Sequence, residues 1–226
     1  AKRGKIFSKV AREISVAAKE RGGDPAKNAR LKLVIEKAKE FNIPKENIER
    51  AIKRGAGELD SENLEEVLFE VLGPGGVAVL IEGITDNKNR ALAEIKQILS
   101  QCGGKLVNEG SLRWMFEKKG CATLNLLAQK ADLQNKEAIE LLAIEAGAQD
   151  LYWQDDSLDV YTKIEDLEKI KKTLEEKGAQ IESAALDWMP KEHISVSAKD
   201  KKSCQGLFEA LDEVDVVQEI YSNLAV

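Results

Sequence analysis

The chain has 226 residues, 43% hydrophobic and 33% charged, with a net charge of −6. That is a globular composition, which excludes the disordered, collagenous and membrane-embedded classes. No window nears the ~18 uninterrupted apolar residues of a membrane span, and the opening Ala1-Lys2-Arg3-Gly4-Lys5 is basic with no apolar stretch behind it, so neither a membrane partner nor a secretory signal is expected.

The charge is unevenly spread. Residues 1–57 hold 16 Lys and Arg against 7 Asp and Glu, a net of +9, and the remaining residues hold 18 against 33, a net of −15. A basic head attracts polyanions by counterion release, while an acidic body resists non-specific adhesion. Residues 5–20 read as an amphipathic helix with Phe7, Val10, Ala11, Ile14, Ala17 and Ala18 at 3.6-residue spacing. Lys5, Lys9, Arg12 and Lys19 form a basic stripe on another face. Arg21-Gly22-Gly23 stops this helix, and Asp24-Pro25 fits the N-cap and first position of a second. The second helix turns Leu31, Val34, Ile35 and Ala38 inward, with Arg30 among the cations on its other faces. Pro44 starts a third, short helix with Ile48, Ala51 and Ile52 inward and Arg50, Lys53 and Arg54 near its C-terminal end, where they also suit the helix dipole. Phe7 and Phe41 sit at core positions, so phosphate contacts fit this head better than stacking on unpaired bases. The candidate nucleic-acid-binding residues are Lys2, Arg3, Lys5, Lys9, Arg12, Lys19, Arg30, Arg50, Lys53 and Arg54.

An acidic linker over 58–66 precedes a change of periodicity. Strands are expected at 68–72 and 77–85, joined by Gly73-Pro74-Gly75-Gly76, which reads as a turn rather than a phosphate cradle. A helix over 87–102 follows, with Leu92, Ile95, Ile98 and Leu99 on one face and Gly103-Gly104 as its stop. Thr85-Asp86-Asn87 caps it, yet Lys88 and Arg90 occupy its first turn, where the dipole disfavours cations. Asn87, Lys88 and Arg90 are therefore either a candidate anion site or a tolerated, solvent-exposed arrangement. A strand is expected at 112–117. Residues 121–189 then run strand, helix (136–146), two strands around Gln154-Asp155-Asp156-Ser157, helix (164–177) and strand (181–188), the βαββαβ ferredoxin-like plan. The acidic turn at Asp155 and Asp156 reads as a plain hairpin. A second such unit is expected to be split. Strand 77–85, helix 87–102, a short strand near Leu106 and strand 112–117 supply its first part, and a helix over 201–211 with a strand over 216–221 supply the rest. The segment Ile194-Ser195-Val196 finds no slot in that scheme. The expected fold class is α+β, an N-terminal three-helix domain followed by two ferredoxin-like α/β domains, one inserted in the other. The expected domains are 1–57, 67–120 plus 191–226, and 121–190.

Little points to catalysis. Cys102, Cys121 and Cys204 are odd in number, widely spaced and without a CxxC, which suits buried roles in a reducing, cytoplasmic setting and supplies neither a disulfide framework nor a zinc site. His193 is the only histidine and lies in a connector. No metal, cofactor or catalytic set is expected.

The motifs Arg3-Gly4-Lys5-Ile6-Phe7-Ser8-Lys9, Gly22-Gly23-Asp24-Pro25, Asn42-Ile43-Pro44-Lys45-Glu46-Asn47-Ile48 and Arg50-Ala51-Ile52-Lys53-Arg54-Gly55 stand in order along the head. Gly73-Pro74-Gly75-Gly76, Thr85-Asp86-Asn87-Lys88-Asn89-Arg90, Cys102-Gly103-Gly104 and Gly110-Ser111 continue the series. This ordered set resembles the YebC/PmpR family over essentially the whole chain, with Val107-Asn108-Glu109 standing where that family often has glycine. The resemblance implies a helical head, two α/β domains, a bacterial cytoplasmic protein, and a further basic segment rich in Lys, His and Trp ahead of residue 1. Members of the family have been described as DNA-binding transcriptional regulators, a mitochondrial relative activates translation of cytochrome c oxidase subunit I, and bacterial relatives have been linked to the ribosome. No catalytic set is implied.

The expected function is a nucleic-acid-binding, non-enzymatic regulator of gene expression, in the first instance a DNA-binding transcriptional regulator. The alternative is a ribosome-associated translation factor that binds ribosomal or messenger RNA. A ligand-sensing or protein-interaction module stands behind both. Basic helices suit DNA and RNA alike, and oligomeric state is not written in these patterns.

Overall fold

A computed structural model describes residues 2–60 and 63–225, with side chains described from Gly4 onward. The chain divides into two compact units, one of residues 1–117 with 190–226 and the other of residues 118–189.

The first unit begins with three helices, α1 (Lys2–Arg21), α2 (Ala29–Glu40) and α3 (Lys45–Gly55). Their apolar stripes meet in one core of Val10, Ile14, Ala17, Leu31, Ala38, Ile48 and Ala51. Helices α1 and α3 cross closely enough that a Cβ on Gly55 would lie 2.1 Å from the Ser15 carbonyl oxygen, while the Ser15 hydroxyl donates to the Ala51 carbonyl at 2.9 Å. Two local expectations are corrected. Asp24-Pro25 opens a turn, not α2; Asp24 Oδ1 accepts from the Ala26 N–H at 3.0 Å. The N-cap is Asn28, whose side chain accepts from the Leu31 N–H and donates to Ala17 O at 2.8 Å and Gly22 O at 2.9 Å. A buried asparagine that ties α2 to the end of α1 outcompetes an exposed aspartate that only caps. Phe41, expected in the core, caps the C-terminus of α2 and is 41% exposed.

The same unit carries strands β1 (Glu65–Leu72), β2 (Ala78–Thr85) and β3 (Lys105–Leu106), helices α4 (Lys88–Cys102) and α7 (Ala198–Asp212), and strand β8 (Val217–Ser222). The sheet order is β3-β1-β2-β8. Here β2-α4-β3 makes one crossover, β3 and β2 flank β1, and β8 takes the opposite edge. That is the spatial order of a ferredoxin-like sheet, but the chain enters it differently from the expectation. The inner strand beside β2 is β1, from before the crossover, and not 112–117. Residues 113–115 form a single 3-10 turn, and the strand that follows, β4 (Phe116–Asn125), belongs to the other sheet. The hairpin turn at Gly73–Gly76 brings β1 against β2 in full register, Glu65 opposite Thr85 through Leu72 opposite Ala78. A Gly there is needed: Gly75 sits at φ 68°, and a Cβ on it would meet Val196 Cγ1 at 2.9 Å. Helices α4 and α7 cover one face with Ile95, Leu99, Cys204, Leu207 and Leu211 on Val71, Val79 and Ile81. Ile194, without an expected slot, bridges in parallel to Leu224.

The second unit runs β4, α5 (Lys136–Ala146), β5 (Asp150–Gln154), β6 (Ser157–Thr162), α6 (Leu167–Glu176) and β7 (Ser183–Pro190), with sheet order β5-β6-β4-β7. This is the ferredoxin-like βαββαβ unit. Asn135 and Gly147 cap α5, with Gly147 at φ 104°. Asp155 and Asp156 span a two-residue hairpin between Gln154 and Ser157, with Asp155 at φ 54°.

Candidate nucleic-acid interface

Helix α1 places its cations where 3.6-residue spacing puts them, on one side, but Lys5, Lys9 and Arg12 are half-buried there against the rest of the first unit, and Lys19, though exposed, bonds to the segment before β1. Lys5 Nζ lies 3.2 Å from Glu213 Oε2. Lys9 Nζ reaches Asp212 Oδ1 at 2.9 Å and the Asp212 carbonyl at 3.2 Å, with its side chain only 14% exposed. Arg12 Nη1 donates to the Asp215 carbonyl at 2.6 Å. Lys19 donates to Asn63 Oδ1 at 2.6 Å and to the Leu64 carbonyl at 3.1 Å. On α2, Arg30 pairs with Glu20 at 2.8 Å and with Glu66. Lys37, outside the expected set, joins Glu13 at 3.1 Å and Glu219 at 3.4 Å. The Gln218 amide, with its nitrogen turned toward the head, donates to Lys9 O at 3.1 Å and Glu13 Oε1 at 3.2 Å.

The electrostatics follow from this burial. Desolvation outweighs the Lys37 partnership and pushes Glu13 above the ordinary carboxylate range. For Lys37 the balance reverses, and attraction to Glu13 and Glu219 overcomes desolvation to raise it. Arg30 is likewise raised, its hydrogen bonds and attraction to Glu66 and Glu20 overcoming its burial. The Lys9 hydrogen bond holds the Asp212 carboxyl below its usual value, against partial desolvation.

Helix α3 differs. Arg50, Lys53 and Arg54 are exposed, and among the described residues Arg50 and Lys53 take part in no side-chain hydrogen bond or ion pair. Arg54 joins Arg12, Lys19, Ser8 and Asn63 around a groove of about 560 Å³. The side chains of Lys2 and Arg3 lie outside the described residues.

At α4, Asn87 is the N-cap and its side chain accepts from the Arg90 N–H at 3.0 Å. Lys88 pairs with Glu65 at 3.1 Å and Arg90 with Asp86 at 2.5 Å. The cap already holds one of the backbone donors an anion would use, and a carboxylate stands beside each cation. Arg90 and Arg12 nonetheless line one groove of about 490 Å³, together with Glu94, Glu213 and Asp215. The structure therefore brings the α1 stripe and the α4 motif to a common place that sequence spacing did not connect. Among the described residues no group of three or more His, Cys, Asp or Glu is arranged to hold a metal ion.

One residue of consequence went unread in the sequence. Glu70, in the middle of β1, is 2% exposed. Its Oε1 accepts from the Gly110 N–H at 2.5 Å, and its Oε2 from Leu112 N–H at 2.6 Å and Arg113 N–H at 2.9 Å. Burial pushes its carboxyl up, but these three donors and the Arg113 charge win and hold it below its ordinary value. A lone glutamate among apolar strand residues was the available signal. Its partners lie 40 to 43 positions away.

A basic three-helix head seated by ion pairs on the first of two ferredoxin-like sheets defines a modular α+β protein whose charge is segregated by domain. The chain belongs to the TACO1/YebC family. The family model described as the TACO1/YebC protein N-terminal domain matches residues 1–58, and that described as the TACO1/YebC second and third domain matches residues 64–224. A probable transcriptional regulatory protein of Pseudothermotoga lettingae is 44% identical over 99% of this chain and 86% of that protein. Another from Pelotomaculum thermopropionicum is 44% identical over 100% of this chain and 92% of that protein. The crystal structure of a conserved hypothetical protein from Aquifex aeolicus superimposes with a TM-score of 0.92 at 39% identity, covering 100% of this chain and 91% of that one.

Proposed function

We propose that this protein is a nucleic-acid-binding regulator of gene expression, acting in the cytoplasm without catalysis, with duplex DNA as its first target. The relatives' description as probable transcriptional regulatory proteins supports regulation. The observation that carries the binding surface is the face of α3, where Arg50 and Lys53 stand exposed with no partner among the described residues, in a head of net charge +9. In this reading residues 1–57 form the binding domain. The discontinuous α/β domain of residues 67–120 and 191–226 orients it, and residues 121–190 form a further module. Arg50, Lys53 and Arg54 meet phosphates directly. No aromatic side chain is needed, because backbone contacts supply affinity without reading bases.

The test is filter binding of the full chain to a 30-bp DNA duplex and, in parallel, to a 30-nucleotide RNA hairpin, across 50 to 300 mM KCl. Each phosphate contact contributes a slope of about 0.9 in log K against log salt on duplex DNA. Arg50→Ala with Lys53→Ala is expected to flatten that slope by roughly 1.8, equally for different base sequences. An unchanged slope overturns this surface. Binding confined to the RNA hairpin replaces the DNA target with RNA.

A further inference from the structure

Of the candidate cations, Lys9, Arg12 and Arg30 donate to acceptors of the α/β part, and Lys5 is ion-paired with Glu213 while its buried Nζ makes no hydrogen bond among the described residues. Three of them meet the single segment Asp212–Asp215, and Lys37 meets Glu219 a few residues on. Sequence pattern and structure thus assign one stripe two incompatible partners. Its spacing on α1 suits a row of phosphates, and its geometry shows a row of carboxylates and carbonyls. Carboxylates set along the α7–β8 turn offer a lysine or arginine the chemistry a phosphate oxygen offers, a charge-assisted N–H···O bond. The pairs are also of the kind that salt and polyanions displace. Lys5 and Lys9 are 20% and 14% exposed at the side chain, but their carboxylate partners Glu213 and Asp212 are 76% and 62% exposed, so each pair is open to salt and competing anions from the carboxylate side.

We propose that the acidic segment 212–219 is an intramolecular stand-in for a nucleic-acid backbone, an ionic latch that covers the α1 stripe until a phosphate chain competes it away. This rests on the reading of the head as a nucleic-acid-binding domain. The protein then has two cationic surfaces in sequence. The α3 face is open at all times and makes the first encounter. The α1 stripe is released only when a bound polyanion offers phosphates in place of Asp212, Glu213 and the Asp215 carbonyl, and Lys37 of α2 only when one replaces Glu219. The latch suppresses weak, short or diffuse anions, which cannot replace several carboxylates at once, and favours a continuous backbone, which can. The single negative charge at Asp86 beside Arg90 and that at Glu65 beside Lys88 repeat the arrangement at α4.

The experiment compares the full chain, the variant Asp212→Asn/Glu213→Gln/Glu219→Gln and a control variant Glu137→Gln/Glu165→Gln/Glu175→Gln, which changes net charge equally at exposed positions of the other unit. Affinity for the 30-bp DNA duplex is read by fluorescence anisotropy at 100 mM KCl. The latch variant is expected to bind roughly threefold to a hundredfold more tightly than the control variant, the range set by releasing three pairs whose carboxylates face solvent. Lys9→Ala with Arg12→Ala in the latch variant is expected to remove most of that gain. Equal affinity of latch and control variants overturns the latch. If Arg50→Ala/Lys53→Ala still weakens the intact chain in that case, the proposed function stands without it, whereas loss of all duplex binding in every protein overturns both. A second measurement needs no variant. Acetylation of Lys5 and Lys9 by an N-hydroxysuccinimide ester is expected to accelerate severalfold between 50 and 500 mM KCl relative to Lys53, and a constant ratio overturns the latch even where the triple variant fails to fold.

Discussion

Glu70→Gln tests how a single buried charge organises the first unit. In the native arrangement one carboxylate oxygen serves Gly110 and the other serves both Leu112 and Arg113. Glutamine has one acceptor oxygen in the same space. It keeps more bonds by turning that oxygen to Leu112 and Arg113, which leaves its NH2 facing the Gly110 N–H. One buried donor without an acceptor costs about 1–3 kcal/mol, and two bonds that lose their charge assistance lose about 1 kcal/mol each. Against this stands the relief of a buried charge, which returns part of the loss. The net expectation is about 2–4 kcal/mol, or roughly 5–15 °C in Tm for a chain of this size. The assay is thermal unfolding followed by circular dichroism, repeated from pH 7 down to pH 3. Because the folded carboxyl titrates below its ordinary value, its contribution is complete above about pH 4.5 and is lost as pH falls through the folded value. The gap between native protein and variant should therefore be constant from pH 7 to about pH 5 and narrow below. A variant melting within 1 °C of the native protein at pH 7, or a gap that widens in acid, refutes the account.

Asn28→Ala removes an N-cap, a buried bond to the Ala17 carbonyl of α1 and a half-buried bond to the Gly22 carbonyl just past it. A loss of about 2–4 kcal/mol is expected, read as a lower denaturant midpoint in chemical unfolding. Asn28→Asp keeps the cap but sets a buried carboxylate oxygen against the Ala17 and Gly22 carbonyls, so it should destabilise at least as much as alanine at pH 7. Gly55→Ala drives a methyl toward the Ser15 backbone and should destabilise the head by about 1–3 kcal/mol, seen as faster proteolysis within residues 1–57 than in the native chain. Gly57→Ala is its informative companion. A Cβ there meets nothing, but φ is 79°, so the cost is backbone strain of about 1 kcal/mol and no clash. Cys121 is 3% exposed, and burial with the nearby Asp159 and Asp187 charges pushes its thiol up. It should resist 5,5′-dithiobis(2-nitrobenzoate) at pH 8 in the folded protein and react only on unfolding. Rapid native-state labelling of Cys121 would contradict that burial.

The local elements were legible because their signals are local. Helix α5 shows its apolar period between an Asn cap and a Gly stop, and runs over the expected residues 136–146. The Asp155-Asp156 hairpin turn stands between two alternating strands. The three head helices follow their apolar stripes, and the departures are local: Asn28 caps α2 because of its bonds to α1, while Asp24 holds nothing beyond its own turn, and Phe41 ends α2 at the surface instead of entering the core. Periodicity reports that a face is buried but not what buries it. That is why the pattern over 112–117 points to the first sheet. Only pairing shows that β1 fills the inner slot and that Phe116 starts a strand of the second.

Residue order alone therefore determined the fold class, the charge segregation and the family, all of which depend on neighbours within a few turns or on motifs in series. Tertiary structure decided which cations remain available. Lys9 and Asp212 stand 203 positions apart, as do Arg12 and Asp215, and no spacing rule joins residues across such a gap. A lysine on a helix stripe has the same pattern whether it meets a phosphate or a carboxylate of its own chain. Which of the two it meets is set by where the α7–β8 turn comes to rest, and that position is a property of the packed sheet.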